Sequence, residues 1–297
     1  MIIEHINCLI VSSTNSDFTT FEAIIGDLGT KSLATLPSLS LGSLVMHSGS
    51  MLLCGGTDNE QKCFQLCHGL WKEHSDLNER RIRHAATAIT TKIATFIFGG
   101  YSGYGPTTTY EYLPKDSNIW LMGKTDIPGD GFVLGCAIAV KSEQEIWLMG
   151  DINDGKRIIS FNVNDHTFRV LPYELNVGTV GSRCAFIPNT NKVMITGGMD
   201  EWYTSSTEIL DTSNESITVT SQMNSRRAHH GIGVITVNGE DRLAVFGGKS
   251  DDDTELDSIE RYNTQTEEWE TTNIKLQTPN CDFGFLSLNL QDVISKL

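Results

Sequence analysis

FIFGG, from Phe96 to Gly100, is an apolar, β-rich run that stops on a doubled glycine, and the chain repeats it. LLCGG stands at Leu52 to Gly56, ITGG at Ile195 to Gly198 and VFGG at Val245 to Gly248, while LMGD at Leu148 to Asp151 keeps only the first glycine. The first glycines, Gly55, Gly99, Gly150, Gly197 and Gly247, are 44, 51, 47 and 50 residues apart. Self-similarity at a period of about 40–50 residues is the mark of a propeller, whose unit is a four-stranded blade.

Working outward from each glycine pair, a second β-rich run carries two large apolar residues seven apart. The pairs are Phe64 and Trp71, Phe161 and Phe168, Leu210 and Ile217, and Tyr262 and Trp269; Tyr112 and Trp120 carry one extra residue. Turn formers lie between them, such as Pro114, Asp116 and Asn118, which is hairpin patterning. Next come Arg81 and His84, or Arg227 and His230, and then the opening strand of the following unit: HAATAIT from His84, LGCAIAV from Leu134, SRCAFIP from Ser182 and HGIGVIT from His230.

With these residues in place the chain resembles the kelch repeat. The resemblance covers essentially all 297 residues. It is strongest at Gly99-Gly100 with Glu111, Tyr112 and Trp120, and at Gly247-Gly248 with Glu260, Tyr262 and Trp269. The expected fold is an all-β, six-bladed propeller of four-stranded antiparallel blades, spanning residues 1–297 as one domain. Val11 and Phe18 are spaced like an anchor pair, so residues 1–25 read as the last two strands of a blade. The run from Phe283 to Leu297 reads as its first two strands. Pairing the chain ends then closes the ring and removes free sheet edges.

Composition narrows the function. With 22 basic and 37 acidic residues, a net charge of −15 argues against nucleic acid and anionic membrane surfaces as partners. The apolar fraction, 39%, is ample for a globular core, and no apolar run approaches the ~20 residues of a membrane span. The opening MIIEHINCLIV lacks a basic leader region and reads as a strand. Seven cysteines without framework spacing, four of them in strands (Cys8, Cys54, Cys136 and Cys184), predict buried reduced thiols and a cytoplasmic location. Asn214-Glu-Ser216 matches a glycosylation sequon, a triplet common by chance.

Catalytic and metal signatures are weak. Cys63, Cys67 and His68 suggest a metal ligand set, but the two cysteines would stand about 13 Å apart on one extended strand. The acidic loop Asp251, Asp252, Asp253 and Glu255 lacks the glycine of a calcium loop. No cofactor is expected. Kelch-type enzymes include a copper oxidase, a sialic-acid epimerase and iron-dependent specifier proteins, whose Glu-x-x-x-Asp-x-x-x-His run is absent here. The enzyme alternative is an epimerase-type propeller acting on a small sugar acid.

In an antiparallel meander the loops after the glycine pairs and the loops between blades share one face. That face is expected to present Tyr101, Tyr104, Trp202 and Tyr203 among carboxylates such as Asp251, together with Arg81 and Arg227. Exposed aromatics and arginines carry interface energy. The expected activity is therefore protein binding by a monomeric propeller, the partner offering a peptide or loop with basic flanks. In kelch proteins that recruit substrates to cullin ubiquitin ligases, arginines at the positions of Arg81 and Arg227 can line the peptide pocket; actin binding is the other role the resemblance implies. Gly131 and Thr179 replace the arginine in two other repeats.

Overall fold

The computed structural model describes residues 7–14, 18–24, 30–37, 41–57, 60–68, 70–90, 94–282 and 284–289, with side chains described between 41 and 287. The chain opens with β1 (Asn7–Thr14), β2 (Phe18–Ile24) and β3 (Thr30–Pro37). Five four-stranded antiparallel units follow. They are β4 (Ser43–His47) to β7 (Leu70–His74), with β5 (Ser50–Cys54) and β6 (Cys63–Cys67) between; β8 (Ala85–Ile89), β9 (Ala94–Phe98), β10 (Tyr110–Pro114) and β11 (Leu121–Met122); and β12 (Cys136–Val140), β13 (Glu145–Met149), β14 (Ile159–Asn162) and β15 (Phe168–Val170). The last two are β16 (Arg183–Phe186), β17 (Lys192–Thr196), β18 (Thr207–Asp211) and β19 (Ser216–Val219), then β20 (Gly231–Val237), β21 (Glu240–Phe246), β22 (Ser258–Asn263) and β23 (Glu268–Lys275). The final strand is β24 (Phe285–Asn289).

The protein is an all-β propeller with four-stranded antiparallel blades. Five blades, where six were expected, form from unbroken runs of chain. A further four-stranded sheet joins the chain ends in the order β24-β1-β2-β3, with Cys8 opposite Leu288 and Val11 opposite Phe285. The expected division of that sheet is corrected. The C-terminal run supplies one strand and the N-terminal run three, because the segment from 30 to 37 is itself a strand. The side chains of Val11, Phe18 and Cys8, and all of Phe283, lie outside the described residues.

The core sits between blades. The second strand of each unit is buried on both faces over its last four residues, as in β9 and β13. The outermost strands, such as β7 and β19, are largely exposed. Phe96, Phe98 and Tyr110 of one blade meet Ile146, Phe161 and Val163 of the next, and Trp147 and Met149 meet Val193 and Leu210. Phe285 of β24 packs against Ile259 and Leu276 of the blade before it.

The doubled glycine fits this packing. Gly99 and Gly100 have φ of 63° and 98°, and a Cβ on Gly99 would lie 1.9 Å from the Phe132 carbonyl oxygen of the next blade. The anchor pairing differs from expectation in two blades. Leu113, not Tyr112, shares the buried cluster of Trp120, which restores the spacing of seven; Tyr112 faces Phe96 and His166 instead. Opposite Trp71 stands Leu66 rather than Phe64, so this hairpin is two residues tighter.

The expectation of reduced thiols fails for four cysteines. Cys54 and Cys63 face each other across β5 and β6 and form a disulfide with Cα atoms 4.1 Å apart. Cys136 and Cys184 join the innermost strands of two neighbouring blades, with Cα atoms 6.0 Å apart. Cys67 and Cys281 are free. The Cys136–Cys184 bond closes 48 residues of chain, which by loop-entropy arithmetic is worth about 4 kcal/mol, more than the 9-residue Cys54–Cys63 loop. Unfolding the chain without reductant and alkylating it should leave these four cysteines unmodified, and prior reduction should make them reactive. Full alkylation without reductant would refute both bonds.

Candidate binding face and axial recess

The loops after the glycine pairs do share a face with the loops between blades. Tyr101 bridges Ile82, Met199 bridges Val180, and Lys249 bridges Ala228. What each side chain does there depends on burial.

Arg81 and Arg227 do not reach the face, which corrects their expected role in partner binding; both are 0% exposed. Arg81 Nε donates to Glu111 Oε1 at 3.0 Å, Nη1 to the carbonyls of Gly99 (2.8 Å) and Thr109 (3.1 Å), and Nη2 to Glu79 Oε2 (3.0 Å) and Thr109 Oγ1 (2.7 Å). All five guanidinium donors are thereby used within the blade. Arg227 repeats the arrangement, with Nη2 on Glu260 Oε1 at 2.6 Å and Nη1 on the Gly247 carbonyl at 2.8 Å. Where Thr179 replaces the arginine, its hydroxyl donates to the equivalent carbonyl, Gly197, at 2.6 Å. The repeat's arginine ties the loop between blades to the glycine turn.

His84 and His230 complete that tie. The ring of His84 lies where a Cβ on Gly55 would be, 2.7 Å from its Cε1, and the ring of His230 stands in the same relation to Gly197 at 2.9 Å. Glycine and histidine thus recur in phase because one fills the space the other leaves. Burial, with the Arg81 charge adding to it, pushes the pKa of His84 down to about 3; burial and the Arg227 charge hold His230 well below its ordinary value. Below pH ~6.5 the unfolded chain therefore protonates at these positions while the folded chain does not. Stability is expected to fall as pH drops from ~6.5 toward 3, each histidine contributing a slope of up to about 1.4 kcal/mol per pH unit. Urea melts between about pH 7 and pH 4 check this, and a His84→Gln/His230→Gln variant should show a flatter decline.

The aromatics divide. Tyr104 is 103% exposed and Trp202 74% exposed, on loops of two blades that flank a third. The matching loop of that third blade exposes Ile152 at 38%, a contribution the sequence reading missed because it weighed only aromatics and charges. Tyr101 is half-buried. Tyr203 is half-buried and donates from its hydroxyl to Asp253 Oδ1 at 2.8 Å; burial and that carboxylate push the phenol up to about 12. Asp251 is exposed and lies 3.5 Å from Arg226 Nη1, and Asp253 lies 3.7 Å from Lys249 Nζ. Asp252 makes no ion pair or hydrogen bond among the described residues. The three aspartates form a short 3-10 turn.

At the ring axis on this face six residues with positive φ stand at equivalent places: Leu41, Arg83, Leu134, Gly181, His229 and Asp282. Their backbones form a circle. Arg83 N donates to Leu41 O, Leu134 N to Arg83 O, His229 N to Gly181 O, Asp282 N to His229 O, and Leu41 N to Asp282 O, at 3.0–3.2 Å. The open step is Leu134 to Gly181. There Arg183 Nη1 donates to the Leu134 carbonyl at 2.9 Å, and the Cys136–Cys184 bond lies beside it. A recess of about 140 Å3 opens inside the circle, lined by Ser43, Arg83, Arg183 and Asp282. Asp282 lies 3.2 Å from Arg83 Nη2 and 3.1 Å from His229 Nδ1. Burial would raise the Asp282 pKa, but His229, Arg83 and Arg183 outweigh it and hold the carboxyl below its usual range. Among the described residues no three His, Cys, Asp or Glu side chains gather to hold a metal.

Compared with family models and with curated proteins, the chain matches none.

Proposed function

We propose that the chain is a kelch-type propeller whose end-joining sheet serves as the sixth blade, and that it binds another protein through the face carrying the loops after the glycine pairs. The backbone circle of six equivalent residues supports the blade count. One observation carries the binding reading: Tyr104, Ile152 and Trp202 form an exposed apolar series over three consecutive blades, on loops otherwise polar. Large exposed aromatics on rigid loops are the groups that gain most from burial against a partner. Tyr101 and Tyr203 stand half-buried on the same loops as Tyr104 and Trp202, and Asp251 and Asp252 favour a peptide or loop with basic flanks.

The axial recess gives the enzyme alternative little room. At about 140 Å3 it is below the ~300–1,000 Å3 of pockets that enclose small molecules. Its charged groups are engaged with one another or with backbone carbonyls.

Affinity capture with the wild-type chain and Tyr104→Ala/Trp202→Ala tests the reading. Partners retained by the first and lost by the second support it. For such a partner, Trp202→Ala is expected to weaken binding by about 2 kcal/mol or more, roughly thirtyfold in Kd. Replacing Asp251 and Asp252 by asparagine should mainly slow association at low salt. Unchanged affinity in Tyr104→Ala/Trp202→Ala moves the site off this face.

A further inference from the structure

Two disulfides alter the meaning of a triplet that looked accidental. Disulfides form and persist in oxidising compartments, and in eukaryotes those are the compartments where asparagine side chains are glycosylated. The sequence holds one Asn-x-Ser/Thr triplet with x other than proline, Asn214-Glu-Ser216. We propose that Asn214 is an N-glycan attachment site and that the chain matures in the secretory pathway rather than in the cytoplasm.

The placement suits an acceptor. Asn214, in the turn between β18 and β19, and Ser216, the first residue of β19, are both exposed. Asn214 Oδ1 accepts from Ser216 N at 3.0 Å and from Ser216 Oγ at 2.7 Å. Nδ2, the atom that would carry the sugar, makes no hydrogen bond among the described residues. The neighbouring turn is anchored: Thr212 N donates to the Asn191 carbonyl at 2.9 Å, and Glu215 pairs with Lys141 of the preceding blade at 2.9 Å. Those contacts join it to the loops between first and second strands, on the face opposite Tyr104 and Trp202. A glycan there leaves the proposed binding face clear.

The step balances without redox chemistry. Asn214 Nδ2 forms a bond to C1 of the first sugar of a lipid-pyrophosphate-linked oligosaccharide. The C1–O bond to the pyrophosphate breaks, the lipid pyrophosphate leaves, and Nδ2 gives up one proton.

The test is the full chain secreted from eukaryotic cells behind a cleavable leader. N-glycosidase treatment in isotopically heavy water should increase its gel mobility and leave a heavy aspartate at 214 in the tryptic peptide Val193 to Arg226, with Asn224 unlabelled as the internal control. Asn214→Gln and Ser216→Ala should each lose the shift, and Ser216→Thr should keep it. The four bonded cysteines should resist alkylation in all variants, which shows that lost shift is not lost folding. Secreted, disulfide-bonded wild type with unlabelled Asn214 overturns the proposal; so does a shift that survives Asn214→Gln, or a wild-type chain retained in the cell with reduced cysteines.

Discussion

Glu111→Ala lowers the stability of the fold by about 3–5 kcal/mol, the cost of removing one partner of a buried ion pair. Glu111 and Arg81 are both 0% exposed, so the guanidinium loses its one fully buried carboxylate and keeps only Glu79, which is 35% exposed. The loss is wider than one ion pair. Glu111 Oε2 also accepts from Asn78 N and Nδ2, both at 2.7 Å, and Oε1 from Glu79 N at 3.1 Å. One carboxylate thus satisfies three loop donors and a cation. Glu260→Ala should behave alike, since Glu260 accepts from Asn224 N at 2.6 Å, Ser225 N at 2.9 Å and Arg227. Glu208→Ala should cost less, because Glu208 binds Asn176 and Val177 but Thr179 stands in the arginine's place and no cation is stranded. Equilibrium denaturation of the three variants measures the order. Equal losses at Glu111 and Glu208 would mean that the arginine contributes nothing.

Removing residues 285–297 is the second large effect. β24 is the innermost strand of the sheet that joins the chain ends, hydrogen-bonded to β1 and flanked by β4 and β20. Without it β1 becomes an open edge, and Phe285 no longer covers Ile259, Leu276 and Phe246. An open edge beside an uncovered apolar surface drives strand-to-strand association. The truncated chain is expected to aggregate or to elute as mixed oligomers in size-exclusion chromatography. A soluble monomer with an unchanged melting temperature would show that the end-joining sheet contributes nothing to the ring.

The repeat was legible because each of its marks has a local physical cause. The glycines are set by left-handed φ, the histidines by the space beside those glycines, and the strands by uninterrupted apolar runs. Other features were not legible. Tyr112 drew the anchor assignment because it is aromatic, whereas the slot beside Trp120 selects a position, which Leu113 occupies. Arg81 and Arg227 resembled surface cations until Glu111 and Glu260 appeared beside them; their co-occurrence in the two strongest repeats was the available signal. The disulfides were missed because sequence spacing was read along one strand. Cys136 and Cys184 hold the third place in LGCAIAV and SRCAFIP, and equivalent places in successive repeats lie side by side. Of the candidate site, the face was derivable from strand alternation. Exposure of Tyr104 and Trp202 was not, because burial of a loop side chain is decided by neighbours far away in sequence.

The backbone circle also dictates an order of events. Cys8 and Leu288 face each other although 280 residues separate them, so the last link can form only after the final strand leaves the ribosome. Cys136 and Cys184 belong to consecutive repeats, and their strands can meet while the rest is still being made. The ring is therefore clasped covalently early, at its open backbone step, and sealed without a covalent bond only once β24 has been made. Until that moment β1, β2 and β3 wait as three strands without their inner neighbour, and they are the part of the nascent chain most in need of protection from other chains.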